Sequence, residues 1–230
     1  MALQLHHVFV CTSLGAPEAE ALLDAGLVEG SPNTHPGQGT ANRRFFFQRG
    51  FLEMLWVRDE REAQSTPGTP TKIWNRWAER RGTANPFGIC FSSAAGLDSD
   101  LPFPTCSYQP DYLSGDRRML FADMSPLSEP EIFVLSWPQG QSPPKTEPTT
   151  HPVGLLEMRS VSVGLPDQAA ISSTLRAIAD AGLIRVHESV RPELVLEFTS
   201  EKPVQHRIPS LGLLMIGRQA ASSNKSLERA

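Results

Sequence analysis

The sequence predicts an α+β protein assembled from repeated βαβββ units. Short runs with period-two alternation of apolar and polar residues recur along the chain. An early helix-like stretch exits through Asp24-Ala25-Gly26-Leu27-Val28, and a late one through Asp180-Ala181-Gly182-Leu183-Ile184. Each follows an apolar strand and a proline-initiated turn, and strands come after it, which marks an internal repeat of about 55–65 residues.

The elements follow in order. Residues 5–12 read as a strand, with Val8 and Val10 on one face and His7, Phe9 and Cys11 on the other. Pro17 suits a first helical turn, where its missing N–H costs nothing. Glu18 and Glu20 favour the positive helix end. Ala19, Leu22, Leu23 and Gly26 form one stripe, and Gly26 suits the helix exit. A polar loop over 29–40 precedes strands at 42–47 and 51–57 joined by a glycine turn, with room for a short strand at 27–29. Ile73, Trp74 and Trp77 predict a short helix over 74–81. Strands are expected at 87–91, 118–122 and 132–137, with loops between them. Five prolines within 138–152 read as a semi-extended linker poor in core residues. A strand at 156–163, a helix at 167–181 carrying Ile171, Leu175 and Ile178, and strands at 194–198 and 211–216 follow. The division is 1–62 for the first unit, 63–137 for a second with a shortened helix, 138–152 linker, 153–217 third unit, and 218–230 a polar tail.

Composition narrows the function. At 230 residues and 25.2 kDa, the chain can bury most of its unfolded surface without disulfides or structural metal. A net charge of −4 argues against a general nucleic-acid binder. No apolar run is long enough to span a membrane. Cys11, Cys90 and Cys106 are odd in number and far apart, so a disulfide framework or zinc ribbon is not expected. Cys11 and Cys90 sit in apolar runs and read as small core residues. Residues 1–12 lack the pattern of a signal peptide, and a cytoplasmic setting is expected. Gly37-Gln38-Gly39-Thr40 is not a P-loop, and no Gly-x-Gly-x-x-Gly follows a strand, so no nucleotide cofactor is expected. That loop could hold an anion on its N–H groups with Arg43 or Arg44 nearby, or be an ordinary turn. Alternation in 42–47 sends only one of these arginines inward, and Arg44 is favoured. Arg80-Arg81 and Arg117-Arg118 read as solvated surface, and Trp56, Trp74 and Trp77 as packing aromatics.

Leu5-His6-His7-Val8-Phe9-Val10, Phe51-Leu52-Glu53-Met54-Leu55-Trp56 and the helix exit Ala25-Gly26-Leu27 between them resemble the vicinal oxygen chelate superfamily. The string from His35-Pro36-Gly37 to Arg44-Phe45 is similar to a glyoxalase-like subgroup. The resemblance implies βαβββ modules forming cupped, partly closed mixed sheets with helices outside. It also implies a divalent metal (Zn, Ni, Mn or Fe) held by a histidine and a glutamate from each module. Carried over, the first module's pair is His7 and Glu53. Alternation favours His7 over His6, which shares a face with Val8 and Val10. The second histidine's place falls on Gly88, and the second acid's near Val134. The third unit offers Ser160 and no acid on its last strand. His35, His206, Glu131 or Glu197 would have to complete such a centre.

Glu53 is an acid on an apolar strand face and needs a cation, arginine or metal as partner. It is either an ion-pair partner of Arg44 or a metal ligand or general base. His7 is either a hydrogen-bonded polar residue or a metal or catalytic one. The expected function is a glyoxalase-like enzyme of lyase, isomerase or dioxygenase type acting on an oxygen-rich small molecule. His7 and Glu53 would be catalytic, and Gln38, Asn42 and Arg44 would hold the substrate. The alternatives are a metal-free binding protein with the same cup, or a scaffold that dimerises. A small molecule is the expected partner, without nucleic acid or membrane, and a homodimer is left open.

Overall fold

The computed structural model describes residues 3–65, 71–97, 101–110, 112–123, 125–139, 143–166 and 170–219. Of the expected tail over 218–230, Arg218 and Gln219 end a strand instead, and residues 220–230 lie outside the described residues, as does the start of the late helix. Among the described residues thirteen strands form two sheets, confirming the α+β class and its cupped mixed sheets.

The first unit contains β1 (Gln4–Cys11), α1 (Glu20–Asp24), β2 (Asn33–His35), β3 (Thr40–Phe46) and β4 (Phe51–Val57). The short strand falls at Asn33–His35, because Asn33 and His35 pair across a tight turn with Asn42 and Thr40. The connection then holds α2 (Glu60–Gln64), which the sequence reading lacked, and α3 (Ile73–Ala78). Asp59 caps α2 by accepting from the Glu62 N–H at 3.0 Å. The second unit has β5 (Phe87–Ser92), β6 (Thr105–Tyr108), β7 (Met119–Ala122) and β8 (Glu131–Leu135). No helix lies among its described residues between β5 and β6.

These eight strands make one sheet in the order β2-β3-β4-β1-β5-β8-β7-β6. Each half has four strands, a first strand and a three-strand meander whose last strand runs parallel to that first one, and β1 joins β5 antiparallel. The halves are therefore related by a local two-fold between Val8 and Ile89, which face each other. Val8, Val10, Leu52, Met54, Ile89, Ile132 and Val134 cover the outer face. Phe9, Cys11, Leu55, Cys90, Phe121, Phe133 and Leu135 line the inner face, with Ile73 and Trp77 of α3 packed onto it.

The third unit departs from βαβββ. It has five strands, β9 (Leu155–Leu165), β10 (Arg185–Glu188), β11 (Glu193–Ser200), β12 (Val204–Ile208) and β13 (Leu213–Gln219), with α4 (Ser173–Asp180) after the first. Their order is β10-β9-β11-β13-β12. Here β9 pairs antiparallel with β11 rather than parallel with the last strand, so the matching helix exits mark similar βα units inside different topologies. β11 alternates cleanly, with Leu194, Leu196 and Phe198 buried. That apolar face joins the outer face of the first sheet in one core. Phe47 meets Phe198 at 4.6 Å between ring centroids. The Gln48 N–H donates to Leu156 O at 2.8 Å, docking the β3–β4 turn on β9.

Within the expected linker, residues 143–152 clasp the first unit. Glu147 accepts from the Ser31 N–H at 2.9 Å. His151 is buried, donates to Phe46 O at 2.8 Å and accepts from the Val28 N–H at 3.0 Å. Gly26 at the helix exit has φ +88°, and a Cβ there would lie 3.3 Å from Val153 N, so both backbone and space require glycine.

Candidate functional site

β1 and β4 run parallel with His7 beside Phe51 and Phe9 beside Glu53, so His7 and Glu53 face the same side of the sheet. His7 is buried, stacks on Phe51 at 4.5 Å and 11°, and meets the Phe133 edge at 5.6 Å. Burial holds its imidazole well below the ordinary histidine range, and His6, His35 and Arg44 add to this.

Glu53 is also buried. Asn42 Nδ2 donates to Glu53 Oε1 at 2.9 Å. Desolvation pushes the Glu53 carboxyl up to about 7, against the opposing pull of Arg44 and Asn42. Asn42 is itself fixed, because its Oδ1 accepts from the Asn33 N–H at 2.9 Å. Arg44 sits across from Glu53 in the β3–β4 register, on the inner side that alternation favoured. Its Nε donates to Ser31 O at 2.8 Å, Nη2 donates to Ser31 Oγ at 2.9 Å, and the guanidinium lies 4.8 Å over Phe46. The hydrogen bond to Glu53 thus comes from Asn42, and Arg44 acts on it through charge. Arg43 points the other way and ties β3 to Glu20 at 2.8 Å and Glu29 at 2.5 Å.

Gln38 stands in the β2–β3 loop, where its Oε1 accepts from Tyr112 OH of the second unit at 3.1 Å. His35, at the end of β2, lies beside Tyr112. Its Nδ1 is 2.9 Å from Thr40 Oγ1 and its ring 5.7 Å from Tyr112. Burial lowers His35 to about 4 and, with Tyr108 and Glu53, raises the Tyr112 phenol. The loop reading missed Tyr112, because its segment looked like an unstructured connection.

His6 departs from the expectation. Leu5 pairs with Phe91 and His7 with Cys90, so His6 is an extra residue in a β-bulge. A bulge interrupts alternation and lets two consecutive side chains face one partner residue. His6 Nδ1 therefore lies 2.7 Å from His7 Nδ1, and its ring is 5.5 Å from Phe51. A donor atom from each of His6, His7 and Cys90 lies within 4.8 Å of the others. Strict alternation placed His6 on the wrong face, while Cys90 is a buried core residue, as its apolar run implied. The adjacent histidine pair was the only available signal.

The four-ligand metal centre implied by the resemblance does not fit these residues. The local two-fold carries His7 onto Gly88. It carries Glu53, which pairs with Phe9, onto Phe133, which pairs with Cys90. The second acid's place is therefore Phe133, and Val134 faces the outer core. A Cβ on Gly88 would stand 1.9 Å from Phe9 Cε1, so the phenyl ring fills the second histidine's place. Of the candidates for completing the set, His35 has its Nδ1 engaged by Thr40 Oγ1, and the other three lie elsewhere. Glu131 pairs with Gly88 and accepts from the Lys72 N–H at 3.2 Å. Glu197 and His206 belong to the second sheet, where Glu197 accepts from Ser160 Oγ at 2.7 Å.

No family model matches the sequence, and no curated protein matches it. Solved structures do match. A hypothetical protein from Staphylococcus aureus aligns with a TM-score of 0.51 at 9% identity, over 95% of this chain and 100% of its own. Methylmalonyl-CoA epimerase in complex with methylmalonyl-CoA aligns at 0.37 and 10% identity, over 63% of this chain and 100% of its own. A Streptomyces coelicolor methylmalonyl-CoA epimerase in complex with 2-nitronate-propionyl-CoA gives 0.38 and 12%, over 62% and 100%. At 9% identity the first of these is a likeness of fold alone.

Proposed function

We propose that the chain is a small-molecule enzyme of the vicinal oxygen chelate fold that moves a proton at carbon next to a carbonyl, an isomerase-type reaction. The observation that carries this reading is Glu53, a carboxyl buried on the inner face and pushed up to about 7. A group with that pKa is about half ionised at neutral pH, where it can both take and return a proton. Asn42 occupies Oε1, so Oε2 is the oxygen that would meet the substrate C–H. Arg44, with its charge facing the same cup, would steady the enolate oxygen. Gln38 and Tyr112 would close the rim, while Phe51 and Phe133 supply apolar walls. The reading takes no step through a metal, since Gly88 and Phe133 stand where two ligands would be needed.

A second reading is binding without turnover. The aromatic rings of Phe9 and Phe133 at those two places favour it, because they make a cup suited to flat ligands. One experiment separates the two. A panel of 2-oxo acids and related carbonyl compounds is incubated with protein in D2O, and C–H exchange is followed by NMR. The enzyme reading expects exchange that falls about 10²–10⁴-fold in Glu53→Gln. A ligand-dependent rise in melting temperature, equal in both proteins and without exchange, supports binding alone.

A further inference from the structure

We propose that His6, His7 and Cys90 form a site for one borderline-soft metal ion of the Zn2+ kind, distinct from any centre shared with Glu53. The bulge in β1 creates it. Without the extra residue, His6 would point into the outer core. With it, two imidazoles and a thiol from adjacent strands converge on one side of the sheet. Donors about 2.0–2.3 Å from one ion stand at most about 4.4 Å apart. These lie within 4.8 Å of one another, so closure needs small side-chain shifts and opening of the 2.7 Å His6–His7 contact.

The donor chemistry selects the ion. Two neutral imidazoles and one thiolate suit Zn2+ or Co2+ and discriminate against Mg2+, which prefers oxygen. Both imidazoles are held neutral by burial, the form that ligates. The Cys90 thiol is held protonated by burial and by Glu53, so the ion must displace its proton. The imidazole that donates in the His6–His7 contact moves its proton to Nε2 and keeps one N–H. Binding thus releases one proton per ion, from the sulfur to solvent. Phe51 and Phe133 wall the site, and Gln139 bonds the His6 side chain at its mouth. The fourth position is open to water or to a small anion. This inference does not rest on Glu53 acting as a base.

Titration of the full chain with Co2+ tests it. One equivalent is expected to bring up a thiolate-to-cobalt charge-transfer band in the near ultraviolet, with release of one proton. Zn2+ should displace the cobalt one for one, and Mg2+ should not. Cys90→Ser should lose the band. His6→Ala, at a half-buried position, should weaken binding by more than the about 10–100-fold that outer-sphere partners are worth. Glu53→Gln should keep the band and the one-to-one stoichiometry, with the Cys90 proton released at lower pH because the Glu53 charge no longer opposes the thiolate. If Cys90→Ser fails to fold by circular dichroism, the parent titration and His6→Ala decide alone. The proposal is overturned if no charge-transfer band forms, or if the band survives Cys90→Ser. Loss of binding in Glu53→Gln with retention in His6→Ala overturns it too, since the ion would then sit on the His7–Glu53 pair. Proton exchange by Glu53 is measured in chelator, so the two readings fail independently.

Discussion

Glu53 carries a cost that depends on pH. Its folded-state pKa of about 7 lies above the ordinary carboxyl value, so between about pH 4.5 and 7 the native state binds more protons than the unfolded chain. Stability contributed by this group is present below that window and lost as pH rises through it. Glu53→Gln removes the titration while its amide oxygen can still accept from Asn42. The variant is expected to gain on the parent by up to about 3 kcal/mol at pH 8 and by little at pH 4. Urea melts at the two pH values read this, and equal shifts at both would contradict a buried titrating carboxyl. Gly88 makes the complementary case. A side chain there runs into the Phe9 ring, so Gly88→Ala is expected to cost at least about 1–3 kcal/mol, with part recovered in a Phe9→Leu background. Thermal unfolding of the single and double variants measures the coupling.

Among the elements, α3 is held by one side chain out of proportion to its length. Arg76 is almost wholly buried and donates to the carbonyls of Asn85 and, at 2.8 Å, Glu129, beside the Glu131 carboxylate. Arg76→Met keeps the volume and strands these acceptors, so a loss of about 3–5 kcal/mol is expected in chemical denaturation. Trp77, whose indole donates to Thr12 O at 2.7 Å, should become more exposed in the same variant, seen as a red shift of its fluorescence. The clasp titrates in the opposite sense to Glu53. His151 must be neutral to accept from Val28, and burial lowers its pKa. Its contribution is therefore full above about pH 6.5, the unfolded value, and is lost as pH falls through the depressed folded value. His151→Ala should cost about 1–3 kcal/mol at pH 8 and less in acid, with faster proteolysis over 143–152. A pH-independent loss would remove the clasp from this role.

Across the two sheets, a single apolar core joins all three units. The second unit has no described helix on its outer face, and the third unit's sheet covers that face instead. Ser172 at the start of α4 fastens the cover, since its Oγ donates to Glu129 at 2.7 Å. One shared core implies one cooperative transition. Phe47→Ala, at the ring contact with Phe198, should cost about 3–5 kcal/mol and lower both sheets together. Hydrogen exchange that protects one sheet after the other has opened would show two independent domains.

Alternation and end signals in the sequence carried the local structure well. Strands β1, β3, β4, β5 and β8, helix α3 and the inward turn of Arg44 were all legible, because side-chain period and glycine position are local properties. So was the pairing of His7 with Glu53 on one face, since each alternates with apolar neighbours on its own strand. Strands β6, β10 and β12 were not, because short edge strands take their conformation from their partners rather than from their own few residues. The βαβββ reading of the third unit failed for the same reason, as strand order depends on contacts between segments far apart in the chain. The bulge at His6, the ring of Phe9 over Gly88, and the move of the second acid's place from Val134 to Phe133 all follow from cross-strand register. Register is set by how whole sheets pack, and no single segment encodes it.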